Sequence, residues 1–187
     1  MIIPDNTPCV GLFGTCGNSH WREQFITCYK QEGILFFNPQ VEPGTWHPGM
    51  VTDENLHFTN DEIILFPVTT ETTGQGSLAE IGFSIANALH SNPNRFFVFL
   101  IDEECNDPDA DLKEKLDSVR SRKLVKSKLI NYAKKSDNIF LVEQLEDMLY
   151  ISLMLIKLIH NKNVIKQGID MNTSAITGFN SVTKSVA

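Results

Sequence analysis

The sequence predicts an α/β domain, a five-stranded parallel sheet with helices on both faces. Three observations lead there. Short apolar runs alternate along the chain with segments of helical length and pattern. Two of those runs, Ile63 to Val68 and Phe96 to Ile101, are continuously apolar, as expected of central strands buried on both faces. Directly behind the first of them comes a glycine-rich turn, Gly74-Gln75-Gly76, that opens a helix. Strand, glycine-rich turn and helix in that order are the usual setting of a ligand site in an open α/β sheet.

Taken in order, Pro8 to Gly14 reads as the first strand and Trp21 to Gln31 as a helix ended by Gly33. Ile34 to Phe37 is a short second strand, stopped by Asn38-Pro39. A loop rich in Pro, Gly and aromatics runs from Pro39 to about Met50. Thr52 resembles an N-cap for a short helix, Asp53 to Thr59, with Asp53 and Glu54 at its positive end. After the strand at Ile63, a helix runs from Ser77 to about His90. Asp109 to Lys134 is a charged amphipathic helix or pair of helices, and Asn138 to Val142 a fifth strand. The last helix, Leu145 to His160, is apolar nearly all round, so it is either deeply buried or covered by another subunit. That predicts a homo-oligomer. From Asn161 the chain turns polar with little periodicity, which divides it into a domain over 1–160 and a polar tail over 161–187, whose stretch Asn172 to Ala187 is either loosely ordered or laid across a neighbour.

Composition bounds the function. At 187 residues, with 42% apolar and 21% charged, the chain builds one soluble globular domain. A formal net charge of −7 argues against a nucleic-acid polymer as partner. The longest greasy segment, Met148 to Ile159, is broken by Ser152 and Lys157 and falls short of the roughly 20 apolar residues that span a bilayer. No basic region followed by an apolar stretch marks a secretory signal. Cys9, Cys16, Cys28 and Cys105 form no CxxC pair, and His20, His47, His57, His90 and His160 share no HxxxH spacing. Reduced thiols, a cytoplasmic location and no metal are the expectations.

The chemistry-bearing residues lie near the predicted carboxyl ends of the strands. Glu80 is an acid in the first turn of its helix amid small and apolar residues. It is either a favourable charge at the positive helix end or a reactive carboxylate aimed into a cleft. The loop Gly14-Thr15-Cys16-Gly17-Asn18-Ser19 can cradle an anion or a sugar, with Arg22 behind it for a phosphate, or it is simply a turn with an N-cap at Asn18 or Ser19. It is neither a P-loop nor GxGxxG. Asp53 is either a plain cap or a ligand contact, and Asp61 a turn or cap residue. Cys16 is a loop cysteine with nucleophilic potential but no histidine assigned to it. Trp46 and Phe58 either stack on a planar base or pack.

Together these pieces resemble the nucleoside 2-deoxyribosyltransferase-like superfamily. The matching stretches are Gly11-Leu12-Phe13-Gly14-Thr15-Cys16-Gly17-Asn18-Ser19-x-Trp21-Arg22, Phe36-Phe37-Asn38-Pro39-Gln40-Val41, Asp53-x-Asn55-x-x-x-Thr59-Asn60-Asp61 and Gly76-x-x-x-Glu80-Ile81-Gly82. They cover roughly half the chain, and their order and spacing are more specific than any one of them. The resemblance implies a flavodoxin-like sheet and cleavage of the N-glycosidic bond of a (deoxy)nucleoside or nucleoside monophosphate, without a cofactor. It implies Glu80 as nucleophile and Asp53 as the acid or sugar ligand. Gly14, Thr15, Cys16, Asn18 and Arg22 would line the sugar or phosphate end, with Asn55, Gly76 and Ser77 also against the substrate. The sugar then passes to another base or to water. Family transferases commonly carry an acid two residues before the glycine of GxxxE; here that position is Gly74, with Glu71, Thr72 and Thr73 as candidate substitutes. Two alternatives follow: cleavage of the nicotinamide bond of NAD by a similarly placed glutamate, or a nucleotide-binding sensor that keeps the cleft without turnover.

Overall fold

A computed structural model describes the backbone of residues 8–41, 47 and 49–183, with side chains over the same ranges apart from 83–89, 91 and 170–183. Trp46 and residues 184–187 lie outside the described residues. Five strands, β1 (Cys9–Leu12), β2 (Leu35–Phe37), β3 (Ile63–Val68), β4 (Phe96–Ile101) and β5 (Ile139–Val142), form one sheet in the order β2-β1-β3-β4-β5. Every pairing is parallel. This is the flavodoxin-like order, whose switch point falls between β1 and β3. From β1 the chain moves outward to β2, then returns to the other side of β1 to lay down β3.

Five helices connect and flank the strands: α1 (Arg22–Glu32), α2 (Gly49–Asn60), α3 (Gln75–Ser91), α4 (Leu112–Ala133) and α5 (Leu145–Thr183). Period-two alternation assigns their faces. Ile63, Leu65, Val98 and Leu100 point to a core shared with Trp21, Phe25 and Tyr29 of the α1 side and Met148 and Leu155 of α5. Ile64, Phe66, Phe97 and Phe99 point the other way, onto Phe58 of α2, Leu78 and Ile81 of α3 and Leu129 of α4. A buried hydroxyl pair, Tyr29 Oη to Ser152 Oγ at 2.5 Å, ties α1 to α5 where the greasy run of α5 is interrupted.

Local signals fix most ends. Gly33 closes α1 at φ 67°, a left-handed cap in which glycine carries no Cβ penalty. Asp111 and Glu114 form a capping box at the start of α4, which is a single helix. Three boundaries differ from expectation. α2 begins at Gly49, so Asp53 lies inside the helix instead of at its start. α3 begins at Gln75, which moves Glu80 into the second turn and out of the strongest part of the helix-end field. The chain from Asn161 to Thr183 continues α5. A domain boundary at 160 therefore falls within a helix of 39 residues, about 58 Å long at 1.5 Å per residue. Among the described residues, no helix is long and apolar enough to cross a membrane.

Candidate active site

Pairing between β1 and β3 ends at Leu12 and Leu65, although β3 runs on to Val68 beside β4. The two strands thus part at the switch point, and two loops leave from the gap. Pro67 sits on the opened side of β3, where its missing N–H removes no ladder bond to β1. Its carbonyl accepts the Thr15 amide at 3.0 Å. Gly14 passes so close, at φ 94°, that a Cβ there would meet the Pro67 carbonyl oxygen at 2.3 Å. Only glycine fits that approach.

A chain of buried hydroxyls continues the seam. Thr15 Oγ1 and Ser19 Oγ both bond to Thr69 Oγ1, at 2.8 and 2.6 Å, and Ser19 Oγ reaches the Glu71 carboxylate at 3.4 Å. Each loop is then fixed from behind by a buried arginine. Arg22 donates from Nε to the Leu12 carbonyl, from Nη1 to Thr15 and from Nη2 to Gly14, and stacks over the Trp21 ring. Arg122 on α4 donates to the carbonyls of Val68, Thr69, Thr72 and Asp102 and to Ser118 Oγ. Carbonyls turned inward at a sheet edge have no ladder partner, and a forked guanidinium satisfies several at once.

This geometry corrects two of the expected substrate contacts. Arg22 is 1% exposed with all three nitrogens committed to loop carbonyls, so it shapes the loop and does not hold a phosphate. Thr15 is equally buried and spends its hydroxyl on Thr69 and Pro67. Phe58 is also a packing residue: it is buried and meets Phe13 edge-on at 4.8 Å. Cys16 and Asn18 remain at the surface of the loop, Cys16 Sγ 3.7 Å from the Gly14 carbonyl and Asn18 Nδ2 3.2 Å from Asp109.

The acids come from the two helices that pack beside the β3 loop. Glu80 of α3 is reached by solvent, but the protein around its carboxyl and the charge of Glu54 push its pKa up to about 7. Glu54 on α2 is half-buried; burial raises its own pKa, and the Arg22 guanidinium works against that rise. The side chain of α2 that faces Arg22 and Glu80 is therefore Glu54. Asp53, about 100° around the helix, is exposed, as is Asn55 on the other side. The motif position points to Asp53, whereas helical phase turns Glu54 inward. The signal for Glu54 was present in the four-residue spacing to Phe58, the buried residue of α2, which places both on the inward side.

Gly74 also gains a physical reason. It takes φ 64°, and a Cβ there would lie 2.8 Å from Val68 Cγ1 and 3.2 Å from Arg122 Nη2. A side chain at this position strains the left-handed backbone and displaces Val68, so glycine is favoured there. Gly76 and Ser77 follow in the first turn of α3, where amide groups lack helical partners, and Gly76 has open space around it.

No protein-family model matches the chain, and no curated protein matches it either. The solved structure of the RPS4 and RRS1 TIR domain heterodimer is similar to it at a TM-score of 0.47 and 7% sequence identity, with 82% of this chain and 97% of that chain covered. A likeness of that size does not identify a function. The residues around the switch point remain the guide: two glycine-bearing loops held rigid by buried arginines, and a pair of interacting carboxyls on adjacent helices.

Proposed function

We propose that this chain cleaves the N-glycosidic bond of a (deoxy)nucleoside or nucleoside monophosphate, with Glu80 as nucleophile. The observation that carries the reading is the placement of Glu54 beside Glu80 at the switch point, where burial and the Glu54 charge hold the Glu80 proton. Burial raises the pKa of both carboxyls, and Glu80, pushed up to about 7, keeps a proton into the neutral range beside a second carboxyl that can exchange it. Such a pair supplies both an acid and a carboxylate, the two groups that glycosidic cleavage needs.

In the free protein the shared proton favours Glu80. A sugar whose anomeric carbon gains positive charge beside Glu80 favours the ionised form there and leaves the proton on Glu54. A Glu80 oxygen then bonds to the anomeric carbon as the C–N bond breaks. The bonding electron pair departs with the base, which takes its proton from Glu54. Water or a second base displaces Glu80, giving its proton back to Glu54. Glu54 thus takes the acid role that motif resemblance gives to Asp53. The rigid seam of Gly14, Thr15, Ser19 and Thr69 supports the floor of the cleft, and the first turn of α3 at Gly76 and Ser77 suits the polar end of a substrate.

Incubation with mixed deoxynucleosides, deoxynucleotides and NAD, followed by chromatography of free base, tests the reading. Base released from a nucleoside or nucleotide supports it, and nicotinamide release alone would assign the site to NAD. Tight ligand binding with no base released would make the chain a sensor. We also propose self-association along α5, whose Tyr150, Met154, Leu158 and Ile165 are exposed on a helix that sequence analysis expects to be covered.

A further inference from the structure

The opposite edge of the sheet carries a second cluster that the glycosidic reading does not use. Cys9 opens β1, and His57 and Asp61 lie at the end of α2, just before β3. The Cys9 sulfur, a His57 ring nitrogen and an Asp61 carboxylate oxygen all lie within 4.8 Å of one another. Helical spacing brings the last two together: the Asp61 amide donates to the His57 carbonyl at 2.8 Å, and His57 Nδ1 is 3.0 Å from Asp61 Oδ1. Phe37 stacks on the imidazole at 3.9 Å and 7°, which fixes its plane. The independent observation is Asp61 itself. It is 3% exposed, and its Oδ2 is buried with no hydrogen bond of ordinary geometry; the groups that face it are the Cys9 thiol and the Arg95 guanidinium, whose Nε is equally unpartnered. A buried carboxylate oxygen left without a donor is costly and calls for an explanation.

We propose that Cys9, His57 and Asp61 bind a divalent transition-metal ion of the zinc class. Thiolate, imidazole and carboxylate are the donor types that suit such an ion, and three protein ligands leave a fourth position for water. Zinc bonds of about 2.0–2.3 Å set tetrahedral ligand atoms roughly 3.3–3.8 Å apart, so side-chain shifts of about 1 Å close the site. The metal takes the place of the Cys9 thiol proton, which leaves to solvent, and gives Asp61 Oδ2 the partner it lacks. His57 is one-third exposed, which leaves a way in. Neighbouring charges set the affinity. Arg95 faces Asp61 and opposes a cation, although its guanidinium also holds the carbonyls of Phe58 and Thr59. Glu62 favours a cation, and its carboxylate accepts the Cys9 amide at 2.9 Å. Neither HxxxH nor CxxC spacing marks this set, which joins an HxxxD helix end to a cysteine 48 residues earlier.

The test is titration of the full chain with Co²⁺, read by absorption. A saturable cobalt–thiolate charge-transfer band in the near ultraviolet is expected, competed away by Zn²⁺. It should be retained in Cys16→Ser and lost in Cys9→Ser, and affinity should fall by about 100-fold or more in Asp61→Asn. Should Cys9→Ser fail to fold, alkylation of the wild-type chain serves instead, with peptides read by mass spectrometry: Zn²⁺ should protect Cys9. Absence of the band in wild type, its persistence in folded Cys9→Ser, or Cys9 alkylation unchanged by Zn²⁺ would each overturn the proposal. None of these readouts depends on base release, so failure here leaves the glycosidic reading standing.

Discussion

Glu54 of α2 and Glu80 of α3 face each other closely enough that the charge of one raises the pKa of the other. If the singly protonated pair is the working form, kcat/KM for base release follows a bell. Its alkaline limb lies near pH 7, where Glu80 titrates, and its acid limb lies lower, where Glu54 gains a second proton for the pair. A pH–rate profile checks this. Glu54→Gln should remove the alkaline limb and lower the rate by about 10²–10⁴-fold. A profile in wild type that rises through pH 7 to a plateau would remove Glu54 from the acid role.

The same shift has a sign for stability. The folded state holds the Glu80 proton more tightly than the unfolded chain does, since the pKa rises from 4.5 to about 7. That contribution is fully present below about pH 4.5 and is lost as pH rises through about 7. Glu80→Gln, which cannot ionise, should therefore melt above wild type at pH 8. The gap should close as pH falls through that window. Thermal scans of both proteins between pH 4.5 and 8 measure it.

Asp53 and Arg22 separate the structural account from the motif. Asp53→Asn should leave base release within a few-fold of wild type, because the exposed Asp53 side chain lies off the inward face of α2. Arg22→Ala removes the guanidinium from the Leu12 and Gly14 carbonyls and leaves Thr15 only its bond from Trp21 Nε1, so it should cost about 2 kcal/mol or more by denaturant unfolding. Arg22→Lys should recover only part of that, since one ammonium cannot span the fork. Loss of preference for a 5′-phosphate in a stably folded Arg22→Lys protein would instead restore the phosphate role.

Gly74→Asp tests whether the acid found in the family's transferases can be restored. The left-handed backbone costs about 1 kcal/mol for a non-glycine residue, and the contact with Val68 adds to it. A loss of roughly 2 kcal/mol or more is expected in urea unfolding, with no gain in sugar transfer to an acceptor base.

Much of the fold was legible because strand burial and turn chemistry are local. Ile63 to Val68 and Phe96 to Ile101 read as central strands from apolarity alone, and Gly33 marked its helix end. The helix starts at Gly49 and Gln75 were missed, because a plausible cap at Thr52 and the glycines at 74 and 76 drew the boundary inward. The polar composition after Asn161 concealed a helix that charged and amide side chains also sustain. In the site, Gly14 and Glu80 were visible as types in a pattern. What could not be read was which polar groups the fold itself consumes: Arg22 and Thr15 looked like ligand contacts until their partners, the carbonyls at the switch point and Thr69, were in place. Those partners are 50 or more residues away in the case of Thr15, and no periodicity reports them.

The most direct test of the central claim is the rate of base release by wild type and Glu80→Gln on the same substrate, with both proteins shown to be folded. A nucleophilic Glu80 predicts a loss of about 10³-fold or more in the variant. Release by Glu80→Gln within a few-fold of wild type would contradict it.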